Sequence, residues 1–283
     1  MKRYFSSGLF LTCVLLALAA VVGCCINIGN WCRAKVERTD HLSAPMTEVE
    51  AMSAQTSFGE VTVTGRDDVN ECSVTAHITV QAPSEEEAGQ ILNQVQVALE
   101  PQGKTLVIKT KQPHLKSRRS IGVDLNIILP TQTRIDCSTS FGEIKITNIK
   151  GDVKAETSFG AIQAENVTGK IHLDTSHGAI RCRQIVSSDF AANTSFGEIN
   201  VSFGDTGPND ITAKLTTSFG AIEVAAPPSF AGQVDSQTSF GSIKTELPLT
   251  VKGDFSKDHI SGAVGEGNGK LSLNTSFGSI KIK

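Results

Sequence analysis

The chain has 283 residues, with 26 basic side chains against 29 acidic ones and a formal net charge of −3. That near-balance supplies no field to steer it onto nucleic acid or an anionic membrane, and one Trp and one Tyr cannot build a stacking platform for single strands. A hydrophobic fraction of 39% is enough for an ordered core, so general disorder is excluded as well.

The N-terminus reads as an address. Lys2 and Arg3 precede a stretch, Phe5 to Cys32, that carries no charge, and Leu9–Val22 is its apolar centre. A basic start, a short apolar run and small residues at the cut describe a secretory signal over 1–23. The tetrad Val21-Val22-Gly23-Cys24 resembles the bacterial lipobox, which implies cleavage before Cys24 and a lipid on its thiol. The rival reading is an uncleaved helix, since the uncharged stretch is long enough to span a bilayer. Both put the remainder outside the cytoplasmic membrane, in the cell envelope, with 24–45 as a tether. The seven cysteines (13, 24, 25, 32, 72, 137 and 182) are odd in number and lack zinc spacing, so they imply no disulfide framework.

Residues 46–137 read as strands with one helix. Ser73–Ala82 alternates as a strand, and Ser84 followed by Glu85, Glu86 and Glu87 is a capping box that opens a helix with Ala88, Ile91, Leu92 and Val95 as its apolar stripe. Pro101-Gln102-Gly103 turns the chain from Val97 and Leu99 into a hairpin partner at Leu106–Lys111, and Val123–Leu129 gives one more strand. This region is the expected cap for the first coil of a repeat array that occupies the C-terminal half.

The dominant signal is that repeat. Thr-Ser-Phe-Gly-x-Ile/Val begins at Thr56, Thr139, Thr157, Thr194, Thr217, Thr238 and Thr275, and an eighth copy at Thr175 carries His177 in place of Phe. Ile260–Val264 reads as a decayed ninth. Steps between successive glycines from Gly142 onward are 18, 18, 19, 23, 21, 21 and 16 residues, a period of solenoid type. Within a repeat the apolar pattern alternates, and its parity changes at the glycine, as at Val153, Ala155, Thr157 against Ile162, Ala164. Period two is a strand and a change of parity is a corner, for which glycine supplies positive φ. A second set of corner glycines (Gly151, Gly169, Gly232 and Gly269) precedes the first by nine residues.

Two corners and short strands per period describe one coil of a β-solenoid. The expected fold is therefore all-β, a solenoid of roughly eight to nine coils over 138–283, with one α-helix in the N-terminal cap. Stacked coils would align Ile144, Ile162, Ile180, Ile199, Ile222, Ile243 and Ile280 as an interior ladder. By parity a second interior ladder is expected from Phe58, Phe141, Phe159, Phe196, Phe219, Phe240 and Phe277. Ile280–Lys283 should form an exposed final edge, blunted by its lysines.

No nucleophile elbow, metalloprotease helix or Cys-x-x-Cys pair occurs, so no catalytic residue, metal or cofactor is expected. The run Gly265–Lys270 imitates a phosphate loop but lacks the first glycine and the hydroxyl after the lysine. His177, with His172 and Asp174 nearby, has no third ligand and reads as a substitution of Phe. A basic cluster from Lys104 to Arg119 offers Lys116, Arg118 and Arg119 as candidate contacts to a surface polyanion or lipid headgroups. Outward rows, Glu143, Ala161, Ala179, Glu198 and Lys145, Gln163, Arg181, Asn200 among them, are mixed in charge.

The pattern resembles the bacterial putative-adhesin family of unknown function, built from strand repeats of the Thr-Ser-x-Gly-x-Ile kind, from about Arg38 to Lys283. The resemblance implies an envelope-facing, non-catalytic repeat domain with a role in adhesion or surface sensing, and it brings no active-site residues. Phe stands here where many relatives would carry Asn or Asp. The function expected is an envelope-anchored structural or adhesive surface module that meets the membrane through its N-terminus and takes a surface polymer or protein as ligand. The alternatives are an envelope sensor of peptides or polymers and, further off, a polysaccharide-active solenoid enzyme.

Overall fold

The computed structural model describes residues 34–283, with backbone only at 251–255. The N-terminal elements are β1 (Ala34–Pro45), β2 (Ala51–Phe58), β3 (Val61–Arg66), β4 (Glu71–Ala82), α1 (Glu85–Leu92), β5 (Gln96–Gln102), β6 (Thr105–Lys111) and β7 (Ser120–Pro130). Five coils come next in sequence, each one strand pair: β8 (Arg134–Phe141) with β9 (Ile144–Ile149), β10 (Val153–Phe159) with β11 (Ile162–Thr168), β12 (Ile171–His177) with β13 (Ile180–Val186), β14 (Asp189–Phe196) with β15 (Ile199–Phe203), and β16 (Thr212–Phe219) with β17 (Ile222–Ala225). The last elements are β18 (Gly232–Phe240), β19 (Ile243–Thr245), β20 (Thr250–Phe255), β21 (His259–Val264), β22 (Gly269–Phe277) and β23 (Ile280–Ile282).

The strands form one 11-stranded and one 12-stranded sheet, and each coil contributes one strand to each. Equivalent residues of successive coils pair in parallel register: Thr157 lies between Thr139 and Thr175, and Ile162 between Ile144 and Ile180. The molecule is a flattened β-solenoid whose interior lies between the two sheets. Ile144, Ile162, Ile180 and Ile199 are fully buried on one side. Opposite them stand ladders such as Ala54, Cys137, Ala155, Leu173 and Ala192, all buried. A single coil could not bury this apolar strip, so stacking is what stabilises it.

The repeat begins earlier than 138. β2 pairs in parallel with β8, Met52 against Ile135 and Phe58 against Phe141, so Ala51–Arg66 is the first coil. The chain then leaves the stack and builds its cover. β7 pairs with β3, and β4 and β1 extend the same sheet antiparallel. On the other sheet β6 pairs with β2 and β5 folds back on it. The helix starts as its sequence dictates: the Ser84 hydroxyl accepts from the Glu87 N–H at 3.3 Å, and Ala88, Ile91 and Leu92 are buried. Arg38 of β1 donates to the carbonyls of Leu92 and Val95 and ties the helix end down. Residues 34–45, expected as tether, are thus a full strand; residues 24–33 lie outside the described residues.

Two further expectations are corrected. The C-terminus is not an edge: β23 pairs with β17 on one side and β19 on the other, and β22 lies between β16 and β18. The last coil of the chain therefore occupies the seventh of eight places, and the coil of β18 and β19, earlier in sequence, occupies the eighth. Ile260–Val264 is no ninth coil, because β21 runs antiparallel to β18 and, with β20, covers that end of the 12-stranded sheet. This detour lets the chain return and lay its final coil against the sixth.

The corner glycines act mainly by close approach, and four of them, Gly59, Gly142, Gly169 and Gly232, also take positive φ (145, 159, 129 and 157°). A Cβ on Gly160 would meet the Gly142 carbonyl oxygen at 1.9 Å, and one on Gly178 would meet that of Gly160 at 1.9 Å. Left-handed helical backbone is found at the opposite corner, at Asn148, Asn166 and Gln184 (φ 58, 54 and 53°). Asn tolerates this region best among residues with side chains, and Asn166 donates to the Asn148 side chain at 2.7 Å.

Candidate interaction surface

The interior ends at threonine. In each coil the Thr of Thr-Ser-Phe-Gly is buried, and in every coil after the first its hydroxyl donates to the glycine carbonyl of the adjacent coil, as Thr175 does to Gly160 at 3.0 Å and Thr194 to Gly178 at 3.1 Å, while Thr56 donates to the Val123 carbonyl of β7 at 3.4 Å. That bond seals the narrow corner. Phe stands two residues further on, at the strand end and beyond the seal.

The interior placement of the phenylalanine ladder is therefore overturned. Phe58, Phe141, Phe159, Phe196, Phe219, Phe240 and Phe277 are 44–67% exposed. Along each strand the interior ends at the Thr, and the Phe two residues on stands at the corner outside it, so the parity that assigned Phe to the inward set fails at the strand end. The rings stack on one another instead. Centroids are 4.8 Å apart for Phe58 and Phe141, 4.9 Å for Phe141 and Phe159, and 5.0 Å for Phe196 and Phe219, with interplanar angles of 4° or less. His177 fills the gap at 4.6 Å from Phe159 and 4.9 Å from Phe196. The row finishes in the spatial order of the coils: Phe219, Phe277, Phe240.

Eight rings thus form one exposed ridge roughly 34 Å long, from seven centroid steps of 4.6–5.0 Å. Each ring covers the face of its neighbour, so what the ridge presents is a line of C–H edges. Phe190, Phe203 and Phe230, outside the repeat slot, are buried. The signal that separates the two groups is the tetrapeptide itself, in which a sealing Thr and a tightly packed Gly flank the Phe.

His177, read as an inward substitution, sits in this outer ridge. Neither His172, exposed on an outer strand face, nor Asp174 joins it, and no group of three metal-binding side chains occurs among the described residues. The outward rows are laced by ion pairs, most of them between coils: Lys145 reaches Glu60 of the first coil at 3.0 Å and Glu143 of its own at 3.1 Å, Arg181 meets Glu198 at 2.5 Å, and Lys283 meets Glu223 at 2.5 Å. Being exposed, such pairs contribute little each and chiefly fix register and solubility.

The basic cluster is dispersed. Arg119 binds Glu87 of α1 and donates to the Ser117 carbonyl at 2.7 Å, which makes it a strut between loop and helix. Lys109 pairs with Glu100 at 2.5 Å and Lys104 with Glu50. Lys116 and Arg118 remain exposed on the loop between β6 and β7. Cys24 lies outside the described residues. Cys72, Cys137 and Cys182 are buried free thiols, and burial, seconded by Glu71, pushes the Cys72 thiol up to about 12. No described helix is long and apolar enough to cross a membrane.

Stacked two-strand coils with an inward Ile ladder and a Thr-Gly corner define a parallel β-solenoid of the repeat-protein class. The Toastrack DUF4097 family matches residues 130–283, more than half of the chain, and the protein belongs to that family. Solved structures of similar outline include a "putative cell adhesion protein" from Clostridium sporogenes, at 13% identity over 87% of this chain and 99% of that one, with a TM-score of 0.41. Two "putative adhesins" are also similar. That of Bacteroides fragilis is 14% identical, covering 87% and 97% of the two chains at a TM-score of 0.38. That of Parabacteroides distasonis is 10% identical, covering 86% and 97% at 0.40. No curated protein matches the chain.

Proposed function

We propose that the protein is a non-catalytic surface module of the cell envelope, a rigid rod that acts through contact. The observation that carries this reading is the exposed ridge of seven phenylalanines and His177 along the whole stack. Solvent-exposed apolar rows of this length mark interaction sites, because monomeric proteins rarely leave one uncovered. The apolar N-terminal segment fits the same reading, as anchor by Cys24 lipid or as an uncleaved helix.

The test is attachment. Cells producing the wild-type chain are compared with cells producing Phe159→Ser/Phe196→Ser/Phe219→Ser at equal surface level, and retention on neighbouring cells or a coated surface is counted. The module reading expects retention to fall in the variant; equal retention by both refutes it. Palmitate incorporation that disappears with Cys24→Ala establishes the lipid anchor, and incorporation that persists rejects it.

A further inference from the structure

We infer that the aromatic ridge docks on the same ridge of a second copy of this chain, the two rods lying antiparallel about a two-fold axis. The inference rests on the surface-module reading and names its partner.

The exposed area is of the right size. Seven rings at 44–67% exposure present roughly 700 Å² per copy, taking about 200 Å² for a whole Phe. A stable specific interface needs about 800 Å² per partner, and the serines and histidine beside the ridge supply the remainder.

The shape of the ridge matches a second copy of itself. Interplanar angles of 0–10° along its length keep it straight enough for contact from end to end. Its period of about 4.8 Å is the strand spacing itself, which a second copy reproduces without adjustment. Ring edges of one row can then seat between ring edges of the other. A sugar chain needs an open ring face, and here each face is covered by the next ring except at the two ends. The flank of the ridge carries Glu60, Glu143 and Glu198, which disfavours an anionic bilayer.

Charge sets the direction of the pairing. At the N-terminal end of the stack Lys145 is shared by Glu60 and Glu143, leaving an excess of one negative charge. At the other end Lys244, Lys281 and Lys283 face Glu223 and Glu246, an excess of one positive. An antiparallel two-fold pairing keeps the same flank together and sets these opposite ends against each other. The eight rings then meet first to last. His177, fourth in the row, falls beside the axis opposite Phe196 of the second copy.

The experiment uses the full chain in membranes of producing cells. With Phe159→p-benzoylphenylalanine, irradiation should give a band of twice the chain mass, cross-linked near Phe219 of the second copy. In the background of Phe141→Ser/Phe196→Ser/Phe219→Ser the adduct should fall roughly tenfold or more while the chain stays folded at the temperature of the assay, as a cooperative thermal melt above it shows. His177→Phe completes the row and should raise it severalfold. Adducts to lipid or another protein only, or no adduct at all, overturn the inference. A dimer cross-linked at Phe159 of the second copy means parallel pairing and overturns it too. If the dimer is absent while the serine variant still loses attachment, the surface-module reading stands and only its partner is wrong.

Discussion

Substituting Gly160 by alanine tests the stacking at its tightest point. The new Cβ would lie 1.9 Å from the Gly142 carbonyl oxygen, against an ordinary contact of 3.4 Å or more. The obstacle is backbone, so no rotamer relieves it and the coils must part by roughly 1.5 Å. Three bonds straddle the contact: the Gly142 N–H to Phe159 and the Ile144 N–H to Ala161, both at 3.0 Å, and the Thr157 hydroxyl to Gly142 at 3.2 Å. Opening breaks them and strands buried backbone groups, at a combined cost of about 4 kcal/mol. For a chain of this size that lowers the melting temperature by roughly 8–16 °C. Gly89→Ala is the control, since nothing lies within 4 Å of a Cβ there; being helical, it should be neutral or stabilising by up to about 1 kcal/mol. Thermal melting followed by circular dichroism reads both. A Gly160→Ala melt within about 2 °C of the parent would show that the glycines are not held by close approach, and the reasoning would fail.

Paired truncations separate interior from ridge: Ile162→Ala should cost about 2–5 kcal/mol in urea unfolding, whereas Phe159→Ser should cost about 1.5 kcal/mol or less, and equal costs would restore the phenylalanines to the core. The buried thiols predict a pH dependence. Cys72 stays neutral when folded up to about 12 but ionises from about 9.0 once unfolded, and Cys137 and Cys182 are shifted the same way by burial. Their contribution is complete below the unfolded value and is lost as pH rises, so stability should fall from pH 9 upward by about 1.4 kcal/mol per unit per thiol. A variant with Cys72, Cys137 and Cys182 all changed to Ala should show a shallower decline, and identical slopes would contradict the assignment.

The repeat made the coil legible because its physics is local and iterated. Each Ile after the glycine must sit above the last, and the capping box at Ser84 fixes the helix start without help from the rest of the fold. The ridge was not legible from parity, which reports the side a residue points to but not where the interior stops. That limit is marked by the Thr175-to-Gly160 type of bond, which is made between coils and is invisible in the strand pattern of any one of them. The order of the last coils was hidden for a different reason. Ile222, Ile243 and Ile280 are interchangeable as neighbours, so the strand pattern alone assigns no sequence to them; the connection through β20 and β21 decides it. The first coil was obscured by the long excursion from Arg66 to Arg134 that separates it from its neighbour in the stack.

Equivalent segments stack side by side in this fold, with the final strand inserted between two earlier ones. Zero-length carbodiimide coupling with peptide mapping measures that order directly. Lys283 lies 2.5 Å from Glu223 on one side, and Lys281 lies 3.8 Å from Glu246 on the other. Both links should form within single chains. A solenoid stacked in simple chain order would put the Ile243 strand next to Glu223, so loss of the Lys283–Glu223 link with the Lys281–Glu246 link retained would contradict the account.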